Sequence, residues 1–198
     1  MRNKWYGDNR DLAKWGILVN LAPLYHARHI LQVLYFRPDV WPRVEIDGEM
    51  FDIHARVIEQ FRQATSISEI ECGTRIEVLD DQFSERRSYQ EKILTKIRER
   101  RERPSIVFLD PDTGLQPRNA DWTHVLDAEL AEIWQCLNSG DLLAVYQHQT
   151  NRSGVEWRTP KKLQFERALG IQTGTAKVAR ADELARDVVF FFAQKGQY

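Results

Sequence analysis

Apolar and polar positions along this chain repeat with two periods, one helical and one of strand type. Between residues 11 and 24, Leu12, Trp15, Ile17, Leu18, Leu21 and Ala22 recur at spacings of three and four. That is the stripe of an amphipathic helix, with Asp8 or Asn9 placed to cap it. Residues 31–36 (LQVLYF) are a short apolar run rich in β-formers, bounded by His29 and by Arg37-Pro38-Asp39, and predict a buried strand. Pro38 and Pro42 force a loop after it.

Residues 45–50 predict a small extension turning at Asp47-Gly48, and Ile53, Val57, Ile58 and Phe61 predict a helix over 51–64. A second strand is expected over 75–79. Residues 84–103 form a long charged helix ended by Pro104, with a thin apolar stripe of Tyr89, Ile93, Leu94 and Ile97. The strongest strand signal is 105–109 (SIVFL), a continuous apolar run of the kind covered on both faces, stopping at Asp110. A helix over 123–137, a turn at Gly140-Asp141, a buried strand over 142–146, a helix over 160–169, a late strand over 175–179, a helical or turn piece around 182–185 and a final strand over 188–193 complete the chain.

Strands alternating with helices, followed by two late strands close together, predict a single α/β domain over residues 1–198. Its expected core is a Rossmann-like, doubly wound, mostly parallel sheet with a C-terminal antiparallel strand pair. Ligands in such sheets bind beyond the carboxyl ends of the strands. Three segments therefore share one rim: Phe36-Arg37-Pro38, residues 110–115 and residues 147–152.

The 198 residues carry 28 basic and 29 acidic side chains, so whole-molecule charge favours neither nucleic acid nor a membrane surface, and an RNA or DNA partner requires a local patch. The two cysteines, Cys72 and Cys136, lack metal or redox spacing and read as core or boundary residues of a reducing compartment. No apolar run approaches the ~18 residues of a spanning helix, which makes the cytoplasm the expected location.

The candidate chemistry lies on the rim. Asp110-Pro111-Asp112-Thr113-Gly114 follows a buried strand, so both carboxylates are expected to emerge together; Pro111 stiffens the exit and Gly114 permits a sharp turn. Capping of a loop or the next helix is the plain alternative. Tyr146-Gln147-His148-Gln149-Thr150-Asn151-Arg152 follows another apolar strand with a density of hydrogen-bonding groups that a turn does not need. Tyr146 and His148 can stack on a planar base, and Gln147 and Gln149 can read its edge. His148 with Asp110 and Asp112 offers an alternative, a divalent metal serving hydrolysis or nuclease chemistry. The segment Gly7-Asp8-Asn9-Arg10-Asp11 leading to Lys14 reads either as an anion-holding helix start or as an ordinary cap with a snorkelling lysine. Residues 158–162 (RTPKK) beside Trp157 suit single-stranded nucleic acid, whereas the interleaved charges of 92–103 suit a solvated helix face. Trp41, Trp122 and Trp157 serve a partner or lie under loops.

These segments together resemble the class I S-adenosylmethionine-dependent methyltransferases, in particular the bacterial large-subunit ribosomal RNA adenine-N6 methyltransferases. Gly7, Asp11 and Lys14 match that family's Gly-Asn-x-Ala-Asp-x-x-Lys segment, and Asp110-Pro111 matches the start of its Asp-Pro-Pro-Tyr motif. The late strands match its terminal antiparallel pair. Two departures stand out: Arg37-Pro38-Asp39-Val40-Trp41 has no glycine where the family carries a glycine-rich loop, and Asp112-Thr113 replaces Pro-Tyr. The resemblance implies S-adenosylmethionine as cofactor, held on the side of Gly7, Asp11, Lys14 and Arg37. It implies a nucleobase or similar amine as substrate, whose exocyclic amino group donates to Asp110 and the Pro111 carbonyl. Asp112 and His148 complete the expected catalytic group, and Tyr146, Gln147, Gln149 and Arg152 the substrate side. A binding module that keeps the sheet without catalysis is the third reading, favoured by the missing glycines.

Overall fold

A computed structural model describes residues 7–37, 43–53, 56, 66–149 and 155–196. The elements run α1 (Asn9–Leu24), β1 (His29–Val33), β2 (Val44–Ile46), β3 (Glu49–Phe51), a 3-10 turn (Ser66–Glu69), β4 (Arg75–Leu79) and α2 (Arg86–Glu99). They continue with β5 (Ser105–Leu109), β6 (Gly114–Leu115), β7 (His124–Val125), α3 (Asp127–Cys136), β8 (Leu142–His148), α4 (Arg158–Leu169), β9 (Lys177–Ala179) and β10 (Val188–Gln194). Six strands form the central sheet in the order β4-β1-β5-β8-β10-β9. The first four are parallel, and β10 runs antiparallel to both its neighbours. This is the α/β fold with a mostly parallel sheet and an antiparallel edge that the patterning predicts.

Alternation along each strand divides the core into two layers. Leu31, Val33, Val107, Leu109, Leu143, Val145 and Phe191 face α2, α3 and α4, meeting Ile93, Ile97, Leu130, Ile133 and Phe165. Ile30, Ile106, Phe108, Ala144, Phe190 and Phe192 face the other way, onto Ala13, Leu18, Leu21 and Ala22 of α1. Helices on both faces are why β1 and β5 read as unbroken apolar runs and are buried throughout.

Several boundaries move. The first strand begins at His29, two residues early, and ends at Val33, after which Tyr35 takes the left-handed conformation at φ 47°. The long charged helix is shorter at both ends, α2 stopping before Arg100. The eighth strand extends to His148, so the polar run begins inside the sheet. Asp47-Gly48 does turn the exposed β2-β3 hairpin, with both residues at positive φ as a two-residue connection requires. The two-residue β6-β7 ladder and the 3-10 turn are additions. Of the helix expected over 51–64, Phe51 instead ends β3, residues 52 and 53 are in neither helix nor strand, residue 56 is helical, and the rest lie outside the described residues, as do Trp41 and Arg152.

In α1 the buried stripe is Asp11, Lys14, Leu18 and Leu21, with Ala13 and Ala22, while Leu12 is exposed. Two ionisable residues thus occupy apolar register positions. Among the described residues no helix is long and apolar enough to cross a membrane.

Candidate functional site

The parallel strands deliver their carboxyl ends to one edge of the sheet, and α1 begins at the same edge. Asp8 caps α1 by accepting from the Arg10 and Asp11 amides at 2.8 and 3.2 Å. Gly7, at φ 87°, donates its amide to Asp11 Oδ2 at 2.6 Å. One turn on, Lys14 Nζ lies 2.9 Å from Asp11 Oδ1 and 2.9 Å from Asp110 Oδ1. Gln32 of β1 donates to Asp110 Oδ2 at 3.3 Å, and the Lys14 ammonium sits 4.6 Å from the centre of the Tyr146 ring. Residues 11, 14, 32, 110 and 146 therefore meet in one knot.

The knot is buried: Asp110 is 0 % exposed and Lys14 3 %. Burial drives the Asp110 carboxyl up to about 6, against the attraction of Lys14. Burial also works against the Lys14 charge, but Asp110 and Asp11 outweigh it and hold the ammonium above its ordinary range. A carboxyl raised in the folded state holds its proton more tightly there than in the unfolded chain. Its stabilising contribution is complete below the ordinary value of 3.8 and is lost as pH rises through about 6. The melting-temperature advantage of the native protein over Asp110→Asn is accordingly expected to shrink between pH 4 and pH 6. An advantage that widens over that range would mean that the Lys14 attraction dominates instead.

Asp110 does not emerge at the rim as the sequence leads one to expect, because Lys14 reaches under it and α1 covers it. Asp112 lies in the next turn and pairs with Arg37, joining the exits of β5 and β1. Pro111 is buried between them. The turn is fixed by Gln147, whose Oε1 accepts from the Leu115 amide at 2.9 Å and whose Nε2 donates to the Thr113 and His148 carbonyls at 3.2 and 2.6 Å. A Cβ on Gly114 would fall 2.5 to 2.7 Å from that carboxamide, which is why the turn takes glycine here. Gln147 is fully buried and cannot read a base edge. Tyr146 is likewise enclosed, edge-on to Phe190, and burial pushes its hydroxyl up. It backs the knot rather than stacking on a ligand.

His148 and Gln149 are half-buried at the rim. The two ring nitrogens of His148 lie 3.1 Å from the Gln149 carbonyl and 3.0 Å from Asp187 Oδ2. Asp187 also receives Arg10 Nη2 at 2.5 Å. Burial pushes the Asp187 carboxyl up, but the Arg10 hydrogen bond, the charges of Arg10 and His148 and a backbone hydrogen bond together hold it below its ordinary range. Asp8, Asn9, Arg10 and residues 184–187 line a cleft of about 550 Å³ beside this group. Asp187 escapes sequence reading because it precedes a strand far along the chain. Asp11 and Lys14 carry a signal in the motif, while their place on the buried stripe of α1 shows only in the folded chain.

The metal alternative loses two of its three ligands, Asp110 to Lys14 and His148 to Asp187. Among the described residues no group of three His, Cys, Asp or Glu is arranged to hold an ion. The basic stretch beside Trp157 also has other work. Trp157 is buried, and Lys161 Nζ donates to the Leu115 and Gln116 carbonyls at 3.0 Å, supporting the turn from below.

No family model matches the chain, and no curated protein is significantly similar to it. Solved structures similar to it include a DUF574 family protein from Streptomyces avermitilis, at TM-score 0.46 and 11% identity over 94% of this chain and 82% of that one. Another is the O-methyltransferase TomG from Streptomyces achromogenes, involved in tomaymycin synthesis and solved in complex with SAM. It stands at TM-score 0.41 and 14% identity over 92% of this chain and 80% of that one. Similarity at this level carries no functional weight.

Proposed function

We propose that the chain is an S-adenosylmethionine-dependent methyltransferase-type domain whose crevice lies beyond the carboxyl ends of β1, β5 and β8, with a nucleobase or similar amine as acceptor. The observation that carries this reading is the contact of Lys14 with Asp110 at 2.9 Å. It brings the Gly7-to-Lys14 segment and the Asp110-Pro111 turn, the two stretches that bear the family resemblance, to a single point.

The residues present fit the amino-acid end of the cofactor. Arg37 and Asp112 stand side by side on the exits of β1 and β5, opposite charges matched to a carboxylate and an ammonium. Arg37 Nε is buried and, among the described residues, has no hydrogen-bond partner. The cofactor, when bound, supplies a methyl group on a sulfonium. Arg37 binds the carboxylate and Asp112 orients the ammonium. Asp110 is a positioning residue: locked to Lys14 and Gln32, it fixes the turn that carries Pro111 and Asp112. Tyr35 makes the turn after β1 that a glycine would ordinarily make, braced by the Tyr89 hydroxyl, which accepts its amide at 3.2 Å.

Calorimetry with S-adenosylmethionine and its demethylated product tests this. Binding is expected, weakened about tenfold or more in Arg37→Ala through loss of a charge-assisted pair. Absence of heat with either compound at high concentration would end the proposal. The burial of Asp110 favours a second reading, a binding module on the same fold, and cofactor binding without methyl transfer to any amine offered would select it.

A further inference from the structure

We infer that Trp122 is the wall on which a planar heteroaromatic ring, a single nucleobase, stacks at the lip of the crevice, which names the substrate class of the proposed transferase and rests on that reading for its role. Trp122 keeps 46 % of its surface in solvent. A lone exposed tryptophan is unremarkable in a folded protein, but this one is held from beneath and behind. Phe83 meets it edge-on at 5.4 Å, and the Arg86 guanidinium lies 5.5 Å from its centre and 5.1 Å from that of Phe83. Phe83 in turn contacts Tyr35 at 5.2 Å and Tyr89 at 5.0 Å, so the exposed indole caps an aromatic stack rooted at the end of β1.

The backbone that presents the ring is equally fixed. Asp121 Oδ1 accepts from the Thr123 amide at 2.8 Å and its hydroxyl at 2.5 Å, and lies 2.8 Å from His124 Nδ1. Arg86 Nη2 donates to the Asp121 carbonyl at 3.0 Å, while its Nη1 meets both Glu129 oxygens at 2.8 and 2.9 Å. The hydrogen bonds from Thr123 hold the Asp121 carboxyl down at about 2, so this bracing persists across the physiological range. A link between β6 and β7 needs none of this for itself. A rigid ring left half in water is suited to stacking because little ordering remains to be done when a ligand arrives.

Position ties the ring to the crevice. The Thr123 carbonyl accepts from the Thr113 amide at 3.0 Å, and the Thr113 carbonyl accepts from the His148 amide at 2.8 Å. Thr123, the neighbour of Trp122, is therefore two hydrogen bonds from the rim histidine, through Thr113 of the turn that follows Asp110. The one guanidinium against the ring, Arg86, is met by the Asp121 carbonyl and the Glu129 carboxylate. Among the described residues no continuous basic track for a phosphate backbone runs past the ring, and a single base or mononucleotide is the ligand that fits.

The test is equilibrium binding of the four nucleoside 5′-monophosphates, at up to millimolar concentration, to the native protein, Trp122→Leu and Trp122→Phe. The tightest of the four is expected to lose about tenfold in affinity in Trp122→Leu, the scale of one base–aromatic stack, and to keep most of it in Trp122→Phe. Melting temperatures of both variants are expected to stay near native, because the indole adds to the outside of the stack. If none of the four binds the native protein, or if Trp122→Leu binds as tightly, the inference is overturned. Cofactor heats on the same preparations keep the two proposals apart. Cofactor binding without nucleotide binding removes the stacking wall alone; Trp122-dependent nucleotide binding without cofactor heat removes the transferase reading alone.

Discussion

Replacing Lys14 by methionine is expected to cost the fold about 3–5 kcal/mol, the usual penalty for removing one partner of a buried ion pair. Methionine matches the length of the lysine stem, so lost packing contributes little. What remains is the carboxyls of Asp11 and Asp110, 2 % and 0 % exposed, facing each other without the ammonium that bridged them. For a chain of this size the loss corresponds to a fall in melting temperature of about 10 °C. Asp110 already titrates at about 6, and loss of the lysine raises it further, so protonation relieves part of the repulsion. The variant should therefore be closer to native at pH 5 than at pH 8. Adding Asp110→Asn should return part of the lost stability at pH 8, because an amide keeps the shape and drops the charge. Equal destabilisation at both pH values, with no recovery in the double variant, would show that the knot contributes packing and not charge.

Asp141→Ala is expected to do comparable damage at the opposite edge of the sheet and to leave the crevice untouched. Asp141 is 0 % exposed. Its Oδ1 accepts from the Ser105 amide at 2.9 Å and the Ser105 hydroxyl at 2.8 Å, and its Oδ2 from the Asn138 amide at 3.0 Å, with Arg100 Nη2 at 3.5 Å. The one carboxylate thus ties the start of β5 to the start of β8 and to the end of α2. Burial already lowers the Arg100 guanidinium from its ordinary range, and Asp141 is the charge that opposes this. Alanine strands a buried cation and two backbone donors, for about 3–5 kcal/mol together. Melting should drop by an amount similar to Lys14→Met, while the affinity for S-adenosylmethionine in the surviving folded fraction stays at the native value. A change in that affinity would show that the two edges of the sheet are coupled.

Asp141 sits in a Gly140-Asp141 turn that the sequence marks only as a turn; its five donors come from residues 100, 105 and 138, and nothing local announces them. Gln147 shows the same difficulty from the other side. In the sequence it is a polar residue in a polar run, and a place at the ligand is the natural expectation. In the folded chain β8 continues through it to His148, and the carboxamide turns inward to hold the Thr113-to-Leu115 turn. For the same reason the local sequence points Asp110 to solvent, whereas the folded chain buries it completely.

The order of strands and helices, the parallel character of the sheet and the antiparallel strand near its edge were all written in the periodicity, because burial on one face or two imposes a pattern on every residue of an element. The convergence of Gly7, Asp11, Lys14 and Asp110 is legible through a short motif, whereas the place of Asp11 and Lys14 on the buried stripe of α1 shows only in the folded chain. Which of the polar side chains at the rim look outward and which are consumed inside was decided by tertiary structure alone. That choice depends on partners up to 177 residues away, as between Arg10 and Asp187, and a desolvated hydrogen bond is a property of two positions that no single stretch of chain contains.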